Sequence, residues 1–148
     1  MPVEYRTGDL FSSDADAFAH GCNCKGTMGA GIAVQFRRRY PEMFQEYQRR
    51  CRAGLFCLRN IYTYEALDGK VIYNLATQIY PGADATIEAV GSCLRSMVAQ
   101  PTKMNQDINS IALPRIGCGL GGLNWLDVKT VIEEVGSQTS IHLIVYSL

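Results

Sequence analysis

Two glycine-rich segments, each placed directly after a short apolar run, constrain this chain more than any other feature. Gly26-Thr27-Met28-Gly29-Ala30-Gly31 follows Asp16-Ala17-Phe18-Ala19-His20-Gly21, a run of small and apolar residues that reads as a strand. Gly117-Cys118-Gly119-Leu120-Gly121-Gly122 follows a second such run, Ser110-Ile111-Ala112-Leu113-Pro114. Between and around them the spacing alternates between strand and helix. Residues 2–7 read as an opening strand ended by Gly8-Asp9-Leu10. Ile32, Ala33, Phe36 and Tyr40 recur at helical intervals, and Pro41 suits the first turn of a second helix running through Phe44 and Tyr47. Residues 60–64 and 71–75 flank the Asp68-Gly69 turn signal as a hairpin. Residues 85–100 place Ile87, Val90, Leu94, Met97 and Val98 on one helical stripe that Pro101 closes. A further helix is expected over 127–135 and a last apolar strand over 141–146.

Strands that alternate with helices predict an α/β fold: a three-layer α/β/α arrangement with a mixed, mostly parallel central sheet, built as one domain over residues 1–148. In such sheets ligands sit at the carboxyl ends of the strands. Both glycine-rich loops therefore belong at one edge. Glycine lets backbone N–H groups approach a phosphate closely, and a helix N-terminus adds a favourable dipole, as the segment leading into Ile32 offers. Two such loops on one edge suit a diphosphate, although tight turns alone would also use these glycines.

Common nucleotide motifs do not fit. Gly117-x-Gly119-x-x-Gly122 matches a dinucleotide fingerprint, but the following strand ends Val145-Tyr146-Ser147-Leu148 without the ribose-binding acid. No phosphate-loop G-x-x-x-x-G-K-[ST] is present. A cysteine phosphatase needs an arginine six places beyond its nucleophile, where Cys22, Cys24 and Cys118 meet Met28, Ala30 and Asn124.

Charge excludes little. Fourteen Lys and Arg balance fourteen Asp and Glu, so a bulk attraction to nucleic acid is not expected. The runs Arg37-Arg38-Arg39 and Arg49-Arg50-Arg52 are local exceptions that read first as solvated helix faces, which keeps nucleic acid a secondary partner. No apolar stretch approaches membrane-spanning length, and the first residues lack the apolar core of a secretory signal, so a cytoplasmic, monomeric protein with reduced thiols is expected. His20-x-Cys22-x-Cys24 has metal-ligand residue types, but spread along a strand the three would not gather around one ion. No metal or cofactor is expected.

Gly8-Asp9-Leu10, the stretch from Cys22 to Ala33 and the segment Pro114 to Leu120 resemble the three signature segments of macrodomains. They are most similar to the branch that holds terminal ADP-ribose protein glycohydrolase, the chromatin-remodeller macrodomains and the yeast ADP-ribose-1″-phosphate phosphatase. The resemblance implies that ADP-ribose or an ADP-ribosylated substrate is bound, and that a 1″-linked group is removed or the ligand is simply read. It places Gly8, Asp9, Leu10, Asn23, Lys25, Met28, Gly29, Ala30, Gly31, Ile32, Ala33, Thr77 and the loop Ile116, Gly117, Cys118, Gly119, Leu120 and Gly121 on the ligand. Asp9 would hold the adenine amine and Asn23 would face the distal ribose near C1″. Each has a plainer reading, as a turn cap and a loop cap. His20 and Asn23 are the candidate catalytic groups, since histidine exchanges protons near neutral pH, while a buried strand histidine is the alternative. The lysine nucleophile and aspartate of the glycohydrolase branch would fall near Thr77-Gln78 and at Gly121, where neither residue type is present.

Overall fold

The computed structural model describes residues 3–100 and 107–148. Six strands form one sheet in the order β1-β6-β5-β2-β4-β3. β1 (Glu4–Thr7), β6 (His142–Ser147), β5 (Ser110–Pro114), β2 (Ala17–Cys22) and β4 (Val71–Ala76) run parallel. β3 (Ile61–Glu65) pairs antiparallel with β4 and closes one edge. The fold is the expected mixed three-layer sandwich.

Period-two alternation explains why both faces are covered. On β2, Ala17 and Ala19 face one cluster, and Val71, Tyr73 and Leu75 of β4 and Ile111 and Leu113 of β5 join them. There α3 (Ile87–Ala99) and α4 (Trp125–Ser137) contribute Val90, Leu94, Met97, Val128, Ile132 and Val135. The alternate residues, Phe18 and Cys22 of β2, Ile72 and Ala76 of β4 and Ile144 of β6, face the opposite side. They pack against Phe36 of α1 (Ile32–Arg39) and Met43 and Tyr47 of α2 (Pro41–Arg52). Strands apolar on both faces are what a helix-covered parallel sheet requires.

The helix boundaries follow from their caps. Thr86 accepts from Ala89 N–H at 3.2 Å, so α3 begins two residues later than the apolar stripe alone indicates. Asn124 accepts from Leu126 N–H at 2.8 Å and starts α4 at Trp125 rather than at Asp127. Asp9 caps a 3-10 turn, Leu10–Ser12, too short to leave a periodic signal. Pro2, at the start of the expected first strand, and Pro101, expected to close the long helix, lie outside the described residues.

Candidate functional site

Five parallel strands end on one edge of the sheet, and the loops that leave them enclose a cleft of about 1030 Å³. This lies at the upper end of the roughly 300–1,000 Å³ typical of small-molecule sites. From β1 to β4 the cleft crosses four strand spacings, about 19 Å. That is the scale of an elongated ligand rather than of a single phosphate.

The middle of the cleft is built from the two glycine-rich loops. Gly31, at φ 61°, is the N-cap of α1, and no side chain caps that first turn. The N–H groups of Ile32 and Ala33 therefore open toward the cleft without intrahelical acceptors. Opposite them, Gly117 takes φ 78° and turns the chain so that Leu123 N–H closes onto Gly117 O at 2.8 Å. Among the described residues the N–H groups of Gly119, Leu120 and Gly121 donate to no protein acceptor. The loops meet where Leu120 Cδ1 stands 3.8 Å from the position a Cβ on Gly31 would take. Two sets of unpartnered amides facing one another form an anion-binding concavity.

At the β1 end Gly8, Asp9 and the buried Leu10 line the cleft, beside Tyr146, Ser147 and Leu148 at the end of β6. Asp9 Oδ1 accepts from Phe11 N–H at 3.0 Å. Its second oxygen makes no hydrogen bond among the described residues, so capping and ligand contact coexist. Arg115, with its guanidinium 4.6 Å over the Trp125 ring, walls this part of the cleft. The sequence reading placed neither on the ligand, because their pairing joins a loop to a helix start ten positions on.

At the opposite end lie Gly21, Asn23, Met28, Thr77 and Gln78. Thr77 is 1% exposed, and its Oγ1 would sit 2.7 Å from a Cβ on Gly21, so a larger residue at this strand position would have to displace the Thr77 side chain. The Asn23 amide is spent inside its own loop. Its Nδ2 donates to Thr27 O at 3.0 Å and Thr27 Oγ1 at 2.8 Å, while Oδ1 accepts from Lys25 N–H at 2.9 Å and Tyr47 O–H at 3.0 Å. Asn23 thus lines the cleft and at the same time braces the glycine loop. Gln78 is similarly occupied, donating from Nε2 to Tyr80 O and Gly82 O.

Two expectations are corrected by this geometry. His20 does not line the cleft. It is 0% exposed, stacked 3.9 Å from the Phe36 ring and bonded through Nε2 to Asn74 Oδ1 at 2.7 Å. Because Asn74 Nδ2 donates to Tyr62 O, Nε2 of His20 is the donor, and the ring is a neutral structural group. Burial pushes its pKa down to about 4, partly opposed by the Asn74 contact. Lys25 also stands outside the cleft, exposed, with Nζ 4.8 Å over the Tyr80 ring. Neither arginine run lines the cleft. Arg49 and Arg50 pair with Glu46, and Arg37 and Arg39 lie over Phe44 and Phe11. Cys22 and Cys24 do not gather with His20 as ligands either. Cys22 Sγ lies 3.6 Å from His20 Nε2, whereas Cys24 Sγ turns to Gln78 O at 3.4 Å.

The profile of the Macro domain family matches residues 19–132. The chain belongs to the Macro domain family. Among curated relatives, the DNA ADP-ribosyl glycohydrolase of Mycobacterium tuberculosis is 37% identical over 139 residues, covering 92% of this chain and 39% of that protein. This macrodomain therefore spans about two fifths of the length of that relative. The ADP-ribose glycohydrolase OARD1 of Homo sapiens is 32% identical over 147 residues, covering 99% of this chain and 91% of that protein. The solved macrodomain of Mycobacterium tuberculosis DarG superposes with a TM-score of 0.89 at 33% identity, covering 99% of this chain and 97% of that one.

The cleft of this macrodomain also departs from a lysine–aspartate chemistry. A Cβ on Gly121 would lie 2.7 Å from Gly117 O and 3.0 Å from Ala85 Cβ, so the loop has no room for a carboxylate there. Of the carboxylate side chains among the described residues, only Asp9 lines the cleft, at the end remote from Thr77 and Gln78.

Proposed function

We propose that this macrodomain binds an ADP-ribosyl group and hydrolyses the bond at C1″ of its distal ribose, releasing ADP-ribose. The observation that carries the reading is the pair of opposed amide sets midway along the cleft, with the Asp9 carboxylate at one end and the Asn23–Gln78 pocket at the other. The diphosphate would lie between the Gly29–Ala33 and Gly117–Gly121 backbones, the adenine amine on the second oxygen of Asp9, and the distal ribose beside Thr77. Relatives named as ADP-ribosyl hydrolases support the activity. The signature segments support placement in the branch that also holds the ADP-ribose-1″-phosphate phosphatases, with residues 1–148 working as one monomeric domain.

In the step proposed, water adds its oxygen to C1″ and its proton goes to the departing oxygen. Among the described residues, no lysine or carboxylate side chain lines that end of the cleft to form an adduct or take the proton. The loop amides and the substrate's own phosphate would orient the water, with catalysis resting on position and preorganised dipoles. The same shortage of proton-transfer groups favours a second reading, a module that reads ADP-ribose without turnover.

Release of free ADP-ribose from ADP-ribose-1″-phosphate, an acidic-residue ADP-ribosylated protein and ADP-ribosylated DNA separates the two. Turnover of one substrate is expected; tight binding of ADP-ribose with none turned over would establish the reader instead. Asp9→Ser tests the orientation. Serine retains the cap of the 3-10 turn but loses the second carboxylate oxygen, so ADP-ribose affinity should fall by about 1.5–3 kcal/mol with little change in melting temperature. Unchanged affinity in calorimetry would place the adenine elsewhere.

A further inference from the structure

Outside the cleft, at its Thr77–Gln78 end, one surface is left without a task. Two loops are laced together there: Cys24 N–H donates to Ile79 O at 2.9 Å, and Cys24 Sγ donates to Gln78 O at 3.4 Å. The backbone of Tyr80 is fixed on both sides, its N–H by Asp84 Oδ2 at 2.9 Å and its carbonyl by Gln78 Nε2 at 2.6 Å. Yet the residue is 57% exposed, with the Lys25 ammonium over its ring, 4.8 Å from the centroid. An aromatic ring held out to water on an immobilised backbone is a stacking platform rather than a piece of core.

A second positive charge lies on the helix that supports the Lys25 loop. The last turn of α2 packs beneath the same loop, through Gln48 Nε2 to Gly26 O at 3.0 Å and Cys51 against Gly26. Arg52 follows Cys51 at the exposed end of that helix. Arg49 and Arg50 are balanced by Glu46, whereas Arg52 and Lys25 have no ion pair among the described residues. The nearby Asp84 is spent on the Ile79 and Tyr80 amides. An exposed ring with one cation over it, and a second on the helix end packed against the Lys25 loop, complements a chain that alternates planar bases with phosphates. An acidic peptide would use the cations and leave the ring idle.

We propose that this rim docks the single-stranded nucleic acid to which the ADP-ribosyl group is attached, with a base stacked on Tyr80 and flanking phosphates on Lys25 and Arg52. The inference rests on the cleft holding that group, and it gives the acceptor a place directly outside the distal pocket.

The test uses the full chain and a dye-labelled, mixed-sequence DNA single strand followed by fluorescence anisotropy across a salt series, with ADP-ribose titrated in parallel. Tyr80→Ala should weaken strand binding about tenfold. Lys25→Glu with Arg52→Glu should make the logarithmic salt dependence shallower by about 1.4, the contribution of two phosphate contacts on a single strand. Both variants should hold ADP-ribose as the parent does. A parent that does not bind the strand, or strand binding untouched by these variants, overturns the proposal. So does a glutamate-rich peptide that binds through Lys25 and Arg52 where the strand does not. A parent that binds the strand through this rim but fails to bind ADP-ribose upholds the docking surface and removes the reading of the cleft.

Discussion

Lowering the pH from 6.5 to 5 should cost this protein about 1.5 kcal/mol of folding stability through His20, and His20→Gln should abolish that part of the loss. The folded His20 titrates at about 4, below its ordinary 6.5. Well above 6.5 the ring is neutral in both states and contributes no pH dependence. Between 6.5 and 4 the unfolded chain takes up a proton that the folded chain refuses, so stability falls as the pH falls. Each unit is worth about 1.4 kcal/mol. The salt-bridged Glu46, held down to about 2, loses its contribution only as the pH drops below 4.5, and the difference between the parent and His20→Gln isolates His20. Glutamine can still donate to Asn74 Oδ1 without titrating. The measurement is urea unfolding at pH 7, 6 and 5 for both proteins. Parallel pH profiles would show that His20 is protonated within the fold. Affinity for ADP-ribose at pH 7 should be the same in both, because His20 lies under the sheet surface and not in the cleft.

His20 also marks where sequence reading stops. β2 was legible as a strand, because small and apolar residues run through it almost without interruption. In a strand buried on both sides the two phases carry the same signal. Nothing in Ala-Phe-Ala-His-Gly-Cys shows that the histidine shares a face with Phe18 and looks into Phe36 rather than up toward the loop. Lys25 failed for a related reason. Its residue type suits a phosphate, but Tyr80 draws the side chain outward, whereas Asn23 lines the cleft as expected and is also held by Tyr47, twenty-four positions away. The glycine loops were legible because their demand is local: Gly31 and Gly117 need positive φ, a property of the residue itself. That they share one edge follows from parallel strands, which the alternation of elements implied; that they face one another follows from β2 pairing with β5, which it did not.

The second large effect concerns Gly121, where the resemblance to the glycohydrolase branch would put an aspartate. Gly121→Asp should lower stability by about 1–3 kcal/mol and reduce ADP-ribose affinity at least tenfold, and pairing it with Gln78→Lys should not create a lysine-dependent enzyme. The added Cβ meets the Gly117 carbonyl oxygen at 2.7 Å and the Gly117 carbonyl carbon at 3.0 Å. Both are backbone atoms, so no side chain can swing aside to relieve the contact. Gly117 O is also the acceptor that closes the turn from Leu123, and Gly121 O accepts from Ala85 N–H at 3.3 Å. Pushing residue 121 away therefore opens the turn at one side and frees the start of α3 at the other. The amides of Gly119, Leu120 and Gly121 would lose the common direction that lets them act on one anion. Thermal melts with ADP-ribose titrations check both parts. A Gly121→Asp protein that melts and binds as the parent does would mean the loop repacks at no cost, and the chain would then have room for the carboxylate its geometry now excludes.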